Sequence, residues 1–262
     1  MLISVVIPNF NDLRIMRTLE SVYSQSYKNI EVIVVDALSN KEGLIEIYQS
    51  FPSIKLIREK DEGIFDALNK GIKASSGNLI YLMGSDDFLP FKDSFELAID
   101  KLKYDIKLDG VCLGCEFINS SGEVIRTWYP KKISSNKIKN GFFPPHFSLL
   151  LKRELYELVG DFKFKKYKNV ACDIIWLLDL AIKKPLLNIA TVPHRFLVME
   201  YGGASTGSLK AVWTQFKIVH TYVKETGIYS WPYMSIVRTT SKLFQFKFFK
   251  KNKHRKLSLI SF

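Results

Sequence analysis

At 262 residues, with 47% apolar and 24% charged side chains, the chain is long enough for one large core, or for a core with a small appended lobe. That balance is ordinary for a folded globular protein and excludes a disordered one. The net charge of +12 is uneven: after Glu225 there is no acidic residue, while Arg238, Lys242, Lys247, Lys250, Lys251, Lys253, Arg255 and Lys256 follow, so eight of the twelve excess charges fall in the last 37 residues. Such a segment suits docking to a polyanion.

The opening MLISVVIPNF lacks a basic leader, and Pro8 breaks its apolar run, so it reads as neither a signal peptide nor a spanning helix. The expectation is a protein on the cytoplasmic side. Of the three cysteines, Cys112 and Cys115 form a lone CxxC inside VCLGCEFI with no second ligand pair, so with Cys172 they are expected to be reduced core thiols.

In chain order, LISVVIP at 2–8 is a β-branched run of the kind buried on both faces of a sheet. Leu13, Met16, Leu19, Val22 and Tyr23 then fall at helical spacing. IEVIVVDA at 30–37 is a second strand closing on Asp36, a helix is expected at about 41–51, and KLIRE at 55–59 is a third strand. Strand, helix, strand, helix, strand within sixty residues implies right-handed crossovers and a mostly parallel sheet. No GxGxxG follows the first strand and no GxxxxGK[ST] occurs, which argues against a dehydrogenase or a P-loop ATPase.

The stretch Asp61–Asp87, DEGIFDALNKGIKASSGNLIYLMGSDD, joins a turn, a helix, a strand and an acidic terminus. Ser85, Asp86 and Asp87 stand at the carboxyl end of that strand, where an open α/β sheet holds its ligand. Adjacent aspartates there either begin a turn or hold Mg²⁺ or Mn²⁺ through hard oxygen ligands.

Further on, a helix near 93–103, the strand GVCLGCEFIN and the alternating EVIRTWYP predict an antiparallel addition to the sheet. NGFFPPHFSLLLKRELYELVGDF carries His146, a residue able to bind phosphate oxygen or move a proton. KNVACDIIWLLDLAIKK is a helix with Asp173 near its start. Asp179 lies about 240° further round that helix and reads as a surface or helix-pairing charge. VPHRFLVMEYGGASTG is a strand followed by Gly202, Gly203 and Gly207, and a helix is expected at about 209–226.

Taken together, VVIPNFND, RTLESVYSQSYKNIEVIVVDALS, EKDEGIFDALNKGI and GSDD resemble the family 2 glycosyltransferases of GT-A fold, and among these the bacterial O-antigen and exopolysaccharide subgroup with a GIYDAMNKGI-like segment. The resemblance implies an α/β, Rossmann-like central sheet flanked by helices. It divides the chain into a donor-binding part at 1–105, an acceptor and catalytic part of the same domain at 106–208, and a helical, basic extension at 209–262.

By position it implies that Pro8, Asn9, Phe10, Asp36 and Ser39 line the base and ribose pocket. Arg58, Asp61, Gly63, Asp66, Asn69, Lys70 and Ser85 would shape the donor-sugar and diphosphate side, and Asp86, with Asp87 beside it, would hold Mn²⁺ or Mg²⁺. Gly84 stands where many members have a first aspartate, which narrows the metal expectation to Asp86. Asp173 matches the general base of an inverting transfer, and His146 an active-site histidine.

The function so implied is transfer of a sugar, UDP-linked by expectation, to a lipid-linked glycan in surface polysaccharide synthesis. The aromatic, basic tail would associate with an anionic inner leaflet, placing the enzyme on the cytoplasmic face of the membrane, with no nucleic-acid partner. The alternative is a basic membrane- or nucleic-acid-binding protein whose α/β domain binds nucleotide without catalysis. A sugar nucleotidyltransferase would instead show a Gly- and Arg-rich loop after the first strand, and residues 8–14 have none.

Overall fold

The structure is a computed structural model that describes residues 1–167, 171–200 and 209–228. The expected glycine loop at 201–208 and the basic aromatic tail from 229 onward lie outside the described residues. The first half alternates as anticipated: β1 (Ile3–Asn9), α1 (Ile15–Tyr23), β2 (Ile30–Asp36), α2 (Leu44–Gln49), β3 (Ile54–Arg58), α3 (Ile64–Ala74) and β4 (Leu79–Leu82). There follow α4 (Ser94–Tyr104), β5 (Gly110–Ile118), β6 (Val124–Trp128), β7 (Ile133–Ser134), α5 (Ser135–Lys139), a 3-10 turn at His146–Ser148, β8 (Leu149–Lys152), α6 (Arg153–Val159), α7 (Phe164–Tyr167), α8 (Cys172–Lys183), β9 (Asn188–Glu200) and α9 (Leu209–Thr226).

All strands join one sheet in the order β3-β2-β1-β4-β8-β5-β9-β7, with β6 paired to β5. The β1, β2 and β4 runs are wholly or nearly wholly buried, as apolar strands covered by helices on both faces must be. β1 through β4 are parallel, whereas β8 runs antiparallel to both β4 and β5, making the sheet mixed. Because β9 is parallel to β5, the reversal at β8, between β4 and β5, leaves β1–β5 and β9, to which β6 and β7 are antiparallel, pointing the same way. Their carboxyl ends therefore emerge along one edge, and that edge carries Asn9, Asp36, Arg58, the turn after β4, and Glu200.

The helices are positioned by what they bury. α1 turns Ile15, Leu19 and Val22 inward, and α8 is buried along most of its length, Trp176 included. α3 lies close against β1 because Gly71 has no side chain: a Cβ there would fall 2.2 Å from Val6 Cγ1. α9 is fastened to α8 where the Tyr222 hydroxyl donates to Asp179, which also accepts from Lys163 at 2.8 Å. Of the two roles anticipated for Asp179, surface charge or helix pairing, the Tyr222 bond gives it the second. All three cysteines are free and buried.

Candidate active site

Strand register sets the first half of the site. Asn9 lies opposite Asp36, and Asp36 opposite Arg58, so three polar side chains stand abreast at the ends of β1, β2 and β3. Asp36 is fully buried and accepts from Tyr48 Oη at 2.6 Å, the Ser39 N–H at 2.8 Å and Arg58 Nε at 3.4 Å. Burial pushes its carboxyl up, yet the bonds from Tyr48, Ser39 and Arg58 outweigh this and hold it below the ordinary value.

Asn9 Nδ2 donates to Tyr48 Oη at 2.7 Å, while its Oδ1 is buried without a hydrogen-bond partner among the described residues. The loops after β1 and β2 are stitched together by Asn11 N–H to Ser39 Oγ at 2.8 Å, and Arg58 at the end of β3 donates through Nη2 to Ser39 O at 2.9 Å. Pro8 is buried within β1, and Phe10 stands 65% exposed at the rim.

The second half is the turn Gly84–Asp87. Asp87 Oδ2 accepts the Gly84 N–H at 2.8 Å, and Asp87 is buried. Burial, then the neighbouring Asp86 carboxylate, pushes Asp87 up to about 8, so it is the inward member of the pair. Asp86 remains a third exposed and is raised by burial despite Arg14, whose Nη1 is 3.7 Å away. A Cβ on Gly84 would sit 2.9 Å from Asp87 Oδ2 and 3.0 Å from Asp86 Oδ1, so these carboxylates fold into the space an aspartate at 84 would need.

α1 braces this turn. The Thr18 hydroxyl lies 2.8 Å from Ser85 O and 2.6 Å from Asp87 O, so one proton serves two carbonyls. Arg17 donates to Asp86 O at 2.8 Å and to Glu200 Oε1 at 3.1 Å, while Arg14 pairs with Asp12 at 2.6 Å and with Glu200. No motif in the sequence singles out Arg14, Arg17, Thr18, Tyr48 or Glu200 as site residues. A signal existed for the arginines: two cations at the start of a helix oppose its dipole unless an acidic partner waits nearby.

The remaining candidates form separate groups. Asp61 accepts the Gly63 N–H at 2.9 Å and Asp66 the Glu62 N–H at 3.0 Å, closing the turn into α3, where Gly63 adopts φ 121°. Lys70 pairs with Glu59 at 3.1 Å and Asp66 at 3.3 Å. Asn69, expected on the donor side, is buried and spends both ends of its amide on the Phe162 backbone.

His146, expected at the active site, is buried against Tyr156, Phe162 and Trp176, and burial pushes it down to about 3. It is neutral there and supplies no positive charge for a phosphate. Asp173 is half-buried in the first turn of α8. Among the described residues no three His, Cys, Asp or Glu side chains converge as a metal site, and Asp86 is the more exposed carboxylate of the Asp86–Asp87 pair.

Residues 4–159 match the family described as glycosyl transferase family 2. The chain belongs to this family. Among its relatives, the chondroitin synthase of Escherichia coli is 28% identical over 241 residues, covering 88% of this chain and 34% of that protein. An uncharacterized glycosyltransferase of Haemophilus influenzae is 27% identical over 166 residues, 61% of this chain and 55% of the relative. This family 2 chain thus spans between a third and just over a half of those relatives' lengths.

Solved structures show the same GT-A fold. S. aureus TarS 1-349 in complex with UDP superposes with a TM-score of 0.64 at 16% identity, over 85% of this chain and 65% of that one. The mannosyltransferase PcManGT from Pyrobaculum calidifontis, in complex with GDP-Man and Mn²⁺, gives 0.56 at 18% identity, over 95% and 81%. A family 2 assignment disfavours the nucleic-acid-binding alternative. No helix among the described residues is long and apolar enough to cross a membrane.

Proposed function

We propose that this chain is an inverting glycosyltransferase that moves a sugar from a UDP-linked donor to a hydroxyl of a lipid-linked glycan in bacterial surface polysaccharide synthesis. The observation that carries the reading is the common edge on which Asn9, Asp36 and Arg58 stand abreast, with the Ser85–Asp87 turn along the same edge. It is supported by family membership over residues 4–159 and by a structural neighbour bound to UDP.

Residues 1–105 receive the donor. The orphan Oδ1 of Asn9 accepts a base N–H, Asp36 and Ser39 face the ribose, and the exposed Phe10 ring covers the base. Arg58, Asp61, Gly63, Asp66, Lys70 and Ser85 shape the sugar and diphosphate side. The residues present fit a divalent cation, Mn²⁺ or Mg²⁺, held by Asp86 with the inward Asp87 beneath it, because two carboxylates raised by burial are relieved by a cation. When bound, the metal offsets charge on the departing diphosphate.

Residues 106–208 receive the acceptor. Asp173 takes the proton from the attacking hydroxyl as its oxygen bonds the anomeric carbon, and the bond from that carbon to the diphosphate oxygen breaks with its electron pair leaving on the nucleotide. The extension at 209–262 holds the enzyme at the cytoplasmic face of the inner membrane through its aromatic and basic side chains.

The deciding experiment combines calorimetry of UDP, GDP and dTDP with Mn²⁺ and a sugar-transfer assay on the full chain. Asp173→Asn is expected to keep nucleotide affinity and lose transfer by about 10²-fold or more. Undiminished transfer would remove Asp173 as the base, and a chain that binds none of the three nucleotides would remove the donor reading.

A further inference from the structure

Asp66 and Lys70, a bonded pair one helical turn apart, lie on α3. Beside them Phe65, Asn69 and Lys73 of α3, with Glu62 just ahead of it, meet the stretch made by the loop between α6 and α7 and the start of α7. Glu62 pairs with Lys165 at 3.3 Å, the Phe65 ring lies 5.2 Å from that of Phe162, and Lys73 pairs with Asp161 at 2.6 Å. The ion pairs are exposed and weak.

The buried member of this seam is Asn69. Its Nδ2 donates to Phe162 O at 3.0 Å and its Oδ1 accepts the Phe162 N–H at 2.8 Å, so both polar groups of one buried peptide position close on one amide. Each has no cheaper alternative once buried.

What Phe162 touches next leads to α8. Its ring lies 5.7 Å from Trp176 and 5.2 Å from His146, and the Trp176 indole donates to Gly160 O at 2.9 Å. Trp176 is therefore gripped by the same short loop that Asn69 grips from the other side. Trp176 follows Asp173 by three residues on α8, so the seat of its ring sets the rotation of the helix about its axis and thereby the bearing of that carboxylate. At the other end, α3 packs tightly against β1, where Gly71 leaves no room for a Cβ beside Val6.

We propose that Asn69 is a positioning residue that ties the donor-side helix α3, through Phe162 and Trp176, to the base-bearing helix α8, and so sets where Asp173 stands relative to bound donor. This rests on the reading of Asp173 as the base. It assigns Asn69 a different task from direct contact with the donor.

The test uses the full chain with Asn69→Ala, a change that favours the helix and so should fold, and with Phe162→Leu, which keeps the backbone bonds to Asn69 but removes the ring from Trp176. Hydrogen exchange followed by peptide mass spectrometry is expected to speed up by about tenfold in residues 160–165 and in 172–177 for Asn69→Ala, and in 172–177 for Phe162→Leu, with β1 unchanged. For both variants UDP affinity in Mn²⁺ should stay within about threefold while kcat falls by about tenfold or more, since small misplacements of a reacting group are costly.

Faster exchange confined to 160–165, with 172–177 as in the wild type, would overturn the link to α8. So would a loss of UDP affinity in step with kcat, the mark of a direct donor contact. The exchange measurement needs no ligand, so a chain that binds no nucleotide, or an active Asp173→Asn, removes the functional reading while the seam is judged on its own.

Discussion

Asp87 shows how a single carboxyl can change its meaning between sequence and structure. Beside Asp86 it looks like a second ligand; in the fold it is buried, bonded to the Gly84 N–H and pushed up to about 8. A folded pKa above the unfolded one gives a contribution to stability that is complete below about pH 4 and is lost as pH rises through about 8. Asp87→Asn, which keeps an oxygen for Gly84, should match the wild type in thermal melts near pH 4 and exceed it near pH 9 by on the order of 2 kcal/mol. Parallel melting curves across that range would contradict the inward assignment.

Gly84 belongs to the same residue-scale argument. Sequence comparison marks it as a lost acid, whereas the structure shows its missing Cβ being used by the two acids that follow. The motif was legible because residue type and order carry it. The direction in which each aspartate points was not, because that depends on the Thr18 and Arg17 contacts from a helix almost seventy positions earlier.

At the scale of elements, α1 is the clearest case of a pattern only half read. Its apolar stripe announces a helix, but Thr18 and Ser21, both fully buried, occupy the same inward face and work as braces. Thr18→Val keeps the shape and removes the proton shared by Ser85 O and Asp87 O. It should cost about 1–2 kcal/mol in chemical denaturation and weaken UDP binding in Mn²⁺, because the turn carrying Asp86 loosens. Unchanged stability would mean that water replaces the hydroxyl.

α3 carries the same lesson. Its helical period was plain from GIFDALNKGI, yet nothing in the spacing distinguishes Asp66 and Lys70, which pair with each other, from Phe65, Asn69 and Lys73, which meet Asp161 and Phe162, because the partner loop lies about ninety residues away. His146 was likewise visible as a residue and invisible as an environment: its box is assembled from α6, α8 and the loop between α6 and α7.

Across the whole molecule, the parallel first half follows from strand and helix alternation, and its crossovers from handedness. The reversed strand between β4 and β5 does not follow, since LLLK at 149–152 has the same apolar character as a parallel strand. That one strand lets β9 deliver Glu200 to the edge where β4 delivers Asp86. The proposed membrane association is tested at this scale too: liposomes containing anionic lipid should co-sediment the full protein and lose most of it when the chain ends at Gly227. Equal binding by both would remove the tail as the anchor.

The joint between α9 and α8 has a mechanical consequence. α9 has 18 residues, so it is a rod about 27 Å long. Its Tyr222 is latched to Asp179, two turns or so along α8 from Asp173. From Tyr222 to the end of α9 at Thr226 is only about 6 Å of helix, so a pull on the chain just past α9 reaches the helix of the proposed base through one stiff turn instead of a loose leash.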